Sequence, residues 1–217
     1  MERLTTLYID KESHKFSAAH FTIFSATERE RLHGHNYSVS AKIVAPMGDN
    51  GFAADYNVYK RLLKSLCDAL DEYLLLAGDS PYQRIEDAED YYRVHFAREE
   101  MLFLKADTRV LPLRNATVEE FSRYLLQQLL LASEGDDLRE VELCVASGPG
   151  QKGGACWRSR GSTSGSRPRN ATNSAMASCE PPASRMCRRK SLPVRGLKIP
   201  SSSNRAKASA ESTSAHL

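Results

Sequence analysis

Long apolar runs are missing from this chain of 217 residues. Its longest hydrophobic stretches, such as Leu74-Leu75-Leu76-Ala77, fall far short of the about 20 residues a helix needs to cross a bilayer. No basic-then-apolar leader with a small-residue cleavage site precedes them. Cysteine is also scarce: there are five, Cys67, Cys144, Cys156, Cys179 and Cys187. None has C-x-x-C spacing, which excludes a thiolate zinc knuckle and a dithiol redox motif. Cys67 falls in a helical pattern and Cys144 in a strand-like one, where buried thiols are ordinary. A reducing cytoplasm and no membrane partner are the expectation. The glycine-rich stretch from Ser147 to Gly154 lacks Gly-Lys-Ser/Thr, so it is no phosphate loop.

Aromatic residues are absent from residues 158–217 altogether. That segment holds 14 Ser, only five Leu, Ile or Val, and a net charge of +10. The preceding residues carry −7, and the two parts give the overall +3. A segment so poor in apolar side chains cannot offset the entropy of ordering its backbone, so a disordered basic tail is expected. Basic charge can attract nucleic acid. Here no aromatics interleave with the charges and no amphipathic period appears, so nucleic acid is not the expected partner. The abrupt change in composition near Lys152 also resembles an out-of-frame reading. Residues 1–157 are the expected folded domain.

Against these absences stand three histidines. His33 and His35 lie in Leu32-His33-Gly34-His35-Asn36-Tyr37, and His20 ends Phe16-Ser17-Ala18-Ala19-His20. From Tyr37 the chain alternates, with Tyr37, Val39, Ala41 and Ile43 on one face and Ser38, Ser40 and Lys42 on the other. In an extended strand, residues i and i+2 point the same way. His33 and His35 therefore reach one point, Gly34 leaves room between them, and a paired strand ending at His20 supplies a third nitrogen. Three protein nitrogens with a fourth position open is the arrangement of a catalytic zinc site. A carboxylate, Glu30, stands three residues before His33.

Elsewhere the pattern reads as an α+β unit. Asp55 is a good N-cap for a helix whose stripe takes in Val58, Leu62, Leu63, Leu66, Leu70, Tyr73 and Leu74. Thr117 and Glu120 have capping-box spacing for a second helix reaching about Ala132. An insert over about residues 78–113 reads as two strands, Asp90–Phe96 and Met101–Leu113, joined by a turn at residues 97–100. The domain closes with a strand over Val141–Val145, a loop over Ser147–Gly154 and a short strand ending at Trp157.

Phe-Ser-Ala-Ala-His followed by His-Gly-His-Asn-Tyr opening a strand resembles the 6-pyruvoyl- and 6-carboxy-tetrahydropterin synthase family. Gly51-Phe52-Ala53-Ala54-Asp55, Leu70-Asp71 and Asn115-Ala116-Thr117-Val118-Glu119 add weaker matches over about residues 3–157. The resemblance implies the tunnelling fold: an antiparallel sheet with two helices on one face, assembling into a barrel and usually a homo-hexamer. It implies a Zn2+ ion on His20, His33 and His35, a dihydropterin substrate at a subunit interface, and pterin contacts from Thr117 and Glu119. Members that make pyruvoyl or carboxy products carry a cysteine just before His-Gly-His. This chain has Glu28-Arg29-Glu30-Arg31-Leu32 there, resembling the branch in which glutamate replaces that cysteine.

The chemistry implied is a zinc-dependent lyase acting on 7,8-dihydroneopterin or its triphosphate, with Glu30 as the base and Glu28 next in line. The expected product is 6-hydroxymethyl-dihydropterin, a folate precursor. The alternatives are 6-carboxy-tetrahydropterin synthase, feeding queuosine synthesis, and a zinc-stabilised pterin-binding oligomer without turnover. Two positions depart from the family. Its Asp-His pair reads Asp71-Glu72 here, leaving His95 in the insert as a candidate substitute, and its pterin-anchoring glutamate has no clear counterpart near Val145.

Overall fold

The two long N-terminal strands organise the chain. The computed structural model describes residues 2–134 and 136–159; Arg158, the first residue of the expected tail, ends the last strand, and residues 160–217 lie outside the described residues. β1 (Leu4–His20) pairs antiparallel with β2 (His33–Pro46), placing His20 opposite His33 and Ala18 opposite His35. The remaining elements are α1 (Tyr56–Asp68), β3 (Tyr73–Ala77), β4 (Gln83–Ala88), β5 (Tyr91–Phe96), β6 (Glu99–Leu104), β7 (Thr108–Leu111), α2 (Val118–Ala132), β8 (Glu140–Gly148) and β9 (Gln151–Arg158). The main sheet runs β7-β3-β1-β2-β8-β9, and β4-β5-β6 form a second, three-stranded sheet.

The expected α+β class and two-helix layer are found, but the main sheet is mixed rather than antiparallel. β3 runs parallel to β1, and β7 parallel to β3. Both helices pack on one face, where Phe16, Tyr37, Val39, Ile43, Val141 and Leu143 meet Leu63, Leu66, Phe121, Leu125 and Leu129. Burying each such side chain contributes about 1.5–3 kcal/mol. The alternation read from Tyr37 is found: Tyr37, Val39, Ala41 and Ile43 are all buried.

Several segment boundaries differ from the sequence pattern. The first helix stops at Asp68, so Leu70, Tyr73 and Leu74 do not continue its stripe. Glu72 adopts φ +63, which ends the helical path and starts β3. β3 is buried on both faces: Leu75 and Ala77 face the main core, and Leu74 and Leu76 a second core with Phe21, Ile23, Val94 and Phe96. Met101–Leu113 is not one strand, since a 3-10 turn at Lys105–Asp107 separates β6 from β7, which returns to the main sheet. The insert also contains a third strand, β4, and its turn tightens to Ala97-Arg98. The glycine-rich stretch is mostly the β8–β9 hairpin, with Gly150 at φ +79 in its turn. Gly153 has a packing reason: a Cβ there would lie 2.8 Å from the Glu119 backbone nitrogen, so only glycine lets β9 approach the start of α2.

Candidate functional site

His20, His33 and His35 meet at the end of the β1–β2 ladder. They lie on the face that carries Phe16 and Tyr37, because alternate residues of each strand share a side. Ring centroids lie 4.6 Å apart for His20 and His33, 4.8 Å for His33 and His35, and 5.3 Å for His20 and His35. One ring nitrogen from each falls within 4.8 Å of the others. The outer nitrogens are already committed. His20 Nδ1–H donates to the Ala116 carbonyl at 2.8 Å, and His33 Nδ1–H to the Arg31 carbonyl at 2.8 Å. These bonds leave the Nε2 lone pairs of both rings turned towards the cluster, where His33 Nε2 lies 3.1 Å from His35 Nε2.

This donor set fits a divalent cation. His20 is buried, and its Nε2 has no hydrogen-bond partner. Burial holds its pKa below the ordinary value, against the opposing Ala116 hydrogen bond, so the ring is kept neutral and able to ligate. Tyr37 and Phe121 close the apolar side, with ring centroids 5.8 and 6.3 Å from His20.

Glu30 reaches the same place by a chain reversal. Phe24 N–H donates to the Glu28 carbonyl at 2.9 Å, and the Ser25 hydroxyl accepts from the Thr27 and Glu28 amides. The turn brings Glu30 back beside Thr22. Glu30 N–H donates to the Thr22 carbonyl at 2.8 Å, and Thr22 N–H to Glu30 Oε2 at 3.0 Å. That carboxylate oxygen lies 4.0 Å from His33 Nε2. Burial alone would raise the Glu30 pKa. Hydrogen bonds from the Thr22 hydroxyl and amide, with His33 and His20 nearby, outweigh it and hold the group below the usual carboxylate value. Glu28 points out of the turn and is exposed.

The other expected site residues fall elsewhere. Thr117 caps α2, its hydroxyl accepting from Glu120 N–H. The capping box is incomplete, because the Glu120 carboxylate accepts from Arg114 N–H instead. Glu119 stands exposed in the first turn of α2, three residues past the Ala116 carbonyl that holds His20. His95 lies in the second sheet between Glu86 and Glu100, at 3.3 and 3.7 Å, and does not join the histidine cluster. Asp71 accepts from Ser17 N–H at 2.6 Å, fastening β1 to the start of β3.

Two residues of the site escaped the sequence pattern. Asn115 and Arg29 both act on backbone groups, which leave no side-chain signature. Arg29 donates to the Glu30 carbonyl at 2.8 Å and through Nε to Glu99 of β6 at 2.9 Å, with its guanidinium over Phe21.

Comparison with known proteins gives this fold and sequence a family. Residues 8–148 match the family described as 6-pyruvoyl tetrahydropterin synthase. A curated relative from Methanocaldococcus jannaschii, named a putative 6-carboxy-5,6,7,8-tetrahydropterin synthase, is 29% identical over 150 residues, covering 66% of this chain and 89% of the relative. The 6-pyruvoyl tetrahydropterin synthase of Plasmodium vivax superposes with a TM-score of 0.68 at 26% identity, over 72% of this chain and 99% of that one. A variant of the P. vivax enzyme, described as a catalytic-residue mutant with alanine for glutamate, superposes equally well at 25% identity, with the same coverage of both chains. Fold and sequence agree, and the chain belongs to the 6-pyruvoyl tetrahydropterin synthase family.

Proposed function

We propose that this chain is a zinc-dependent lyase that cleaves the side chain of 7,8-dihydroneopterin, or its triphosphate, to 6-hydroxymethyl-dihydropterin. The observation that carries the reading is an ionised carboxylate beside the imidazole cluster, Glu30 Oε2 at 4.0 Å from His33 Nε2. His20, His33 and His35 would hold the zinc through neutral nitrogens. Zinc there supplies positive charge that stabilises an oxygen as it becomes anionic.

The chain's own groups account for the rest. Glu30 is held as a carboxylate and is therefore ready to accept the proton of a side-chain hydroxyl. As that oxygen forms a carbonyl, the adjacent carbon–carbon bond breaks. Its electron pair passes into the ring imine and the ring-side carbon is reprotonated, which Glu30 can do with the proton it took. An aldehyde fragment leaves. Cys67, the nearest thiol in sequence, cannot take this part. Cys67 is buried in α1, and burial pushes its pKa up to about 12. The P. vivax neighbour, whose catalytic residue is a glutamate, supports the same assignment.

Glu119 and Thr117, at the start of α2, are the pterin-side residues of this reading. The substrate completes its site in a homo-hexamer whose barrel closes the open edges at β7 and β9. The compartment is a reducing cytoplasm, consistent with free thiols at Cys67, Cys144 and Cys156. The name of the M. jannaschii relative favours a second reading, 6-carboxy-tetrahydropterin synthase in queuosine synthesis.

Glu30→Gln tests the assignment. It is expected to keep stoichiometric zinc and dihydropterin binding while lowering kcat at least about 100-fold. His33→Ala and His35→Ala are expected to lose zinc and turnover together. Wild-type kcat in Glu30→Gln would overturn the base, and full activity in a zinc-free His33→Ala would overturn the metal.

A further inference from the structure

We infer that Asn115 is a positioning residue that holds the metal cluster and the base in one frame; this rests on the function proposed above. Asn115 lies in the short connection between β7 and α2, more than 90 residues from Ile23, in the segment after β1 that it grips. Its Oδ1 accepts from Ile23 N–H at 3.0 Å and from Ala116 N–H at 3.0 Å, and its Nδ2 donates to the Ile23 carbonyl at 2.8 Å. The side-chain amide thus pairs with both backbone groups of Ile23, as a neighbouring strand would.

Two residues flanking these contacts reach the site. Ala116 offers the carbonyl that accepts from His20 Nδ1–H, which fixes the ring's tautomer and direction. Ile23 follows Thr22, whose amide holds the Glu30 carboxylate and whose carbonyl holds the Glu30 amide. The Ile23 side chain is itself buried in the second core, so its backbone cannot drift far while Asn115 is paired. One amide therefore ties the carbonyl behind His20 to the segment that aims Glu30. Apart from the His20–Ala116 bond itself, no other side-chain hydrogen bond among the described residues joins the segment around Ile23 to the Asn115-Ala116 connection. Arg29 grips the Glu30 turn separately, from the β6 side.

The test uses the full-length protein with zinc alone, and then with 7,8-dihydroneopterin. Asn115→Ala removes all three bonds. Asn115→Asp keeps the two accepted bonds and loses the donated one, so it is expected to fall between Asn115→Ala and wild type. Zinc affinity, read by competition with a chelator, is expected to fall about 10–100-fold in Asn115→Ala, the usual cost of losing an outer-shell contact. The kcat is expected to fall by a similar factor, with dihydroneopterin binding little changed. With zinc saturating, a double variant with Glu30→Gln is expected to be no slower than Glu30→Gln alone, because both changes then act on one proton transfer. A merely structural loss would slow the double variant further.

Wild-type zinc affinity and kcat in a folded Asn115→Ala would overturn the inference and leave the proposed function standing. Failure of the wild-type protein to bind zinc would overturn both. If Asn115→Ala does not fold, Asn115→Asp carries the test, and a wild-type profile there overturns the inference.

Discussion

A buried imidazole nitrogen without a partner costs about 1–3 kcal/mol, and His20 Nε2 is such an atom. A bound cation would remove that cost, so the site is strained towards ligation before any substrate arrives. His14 is a second buried imidazole, packed beside α1 and bonded to the Lys60 backbone. Burial lowers its pKa below the ordinary 6.5, outweighing that bond and Asp10; Lys11 and Lys64 push the same way as burial. The unfolded chain therefore takes up this proton before the folded one does. Stability contributed by His14 is complete above pH 6.5 and is lost as pH falls from there towards the folded value. His14→Leu is expected to flatten the loss of urea stability on acidification below 6.5; an unchanged acid slope would contradict the account. At this scale the histidine cluster was legible and the groups that orient it were not. Gly34 between two histidines in an alternating strand points to one shared focus. By contrast, the carbonyls of Ala116 and Arg31, and the amides gripped by Asn115, belong to no residue type and appear only once distant segments meet.

Among elements, β3 shows why a periodic reading overran. Leu70, Tyr73 and Leu74 continue the α1 stripe at helical spacing, yet Leu74–Leu76 form a strand with a core on each side. A strand buried on both faces has no alternation to betray it. The break comes at Glu72, held at φ +63 and exposed. An L side chain costs about 1–2 kcal/mol in that region, while glycine gives back part of the gain through its own chain entropy. Glu72→Gly is expected to raise the urea-unfolding free energy by up to about 1 kcal/mol. A loss of stability would mean that the Glu72 side chain makes a contact worth more than the strain. The second helix was legible throughout, because Thr117 caps it and Phe121, Leu125 and Leu129 keep one face. The insert was legible as β structure but not in its division, since the switch from β6 to β7 depends on which core each strand joins.

At the scale of the molecule, the fold places the histidine cluster at the end of a two-strand ladder and leaves β7 and β9 as the edges of the main sheet. Residues 158–217 carry a net charge of +10 against −7 for the rest of the chain, and every residue named at the site lies before position 122. A chain ending at Ser159 is therefore expected to keep the zinc content, oligomeric state and kcat of the full chain. Loss of turnover would assign the basic segment a part in the reaction, and loss of nucleic-acid binding alone would show a separate one. The shift in composition near Lys152 draws that division, and the proposed closing of sheets between copies lies beyond what one chain's pattern carries. The central claim is that Glu30 beside a zinc-bearing histidine cluster splits a carbon–carbon bond of the pterin side chain. Its most direct test is to incubate the zinc-loaded protein with 7,8-dihydroneopterin and its triphosphate and identify the pterin products by mass spectrometry. The account predicts 6-hydroxymethyl-dihydropterin; a carboxy- or pyruvoyl-tetrahydropterin, or tight pterin binding with no product, would contradict it.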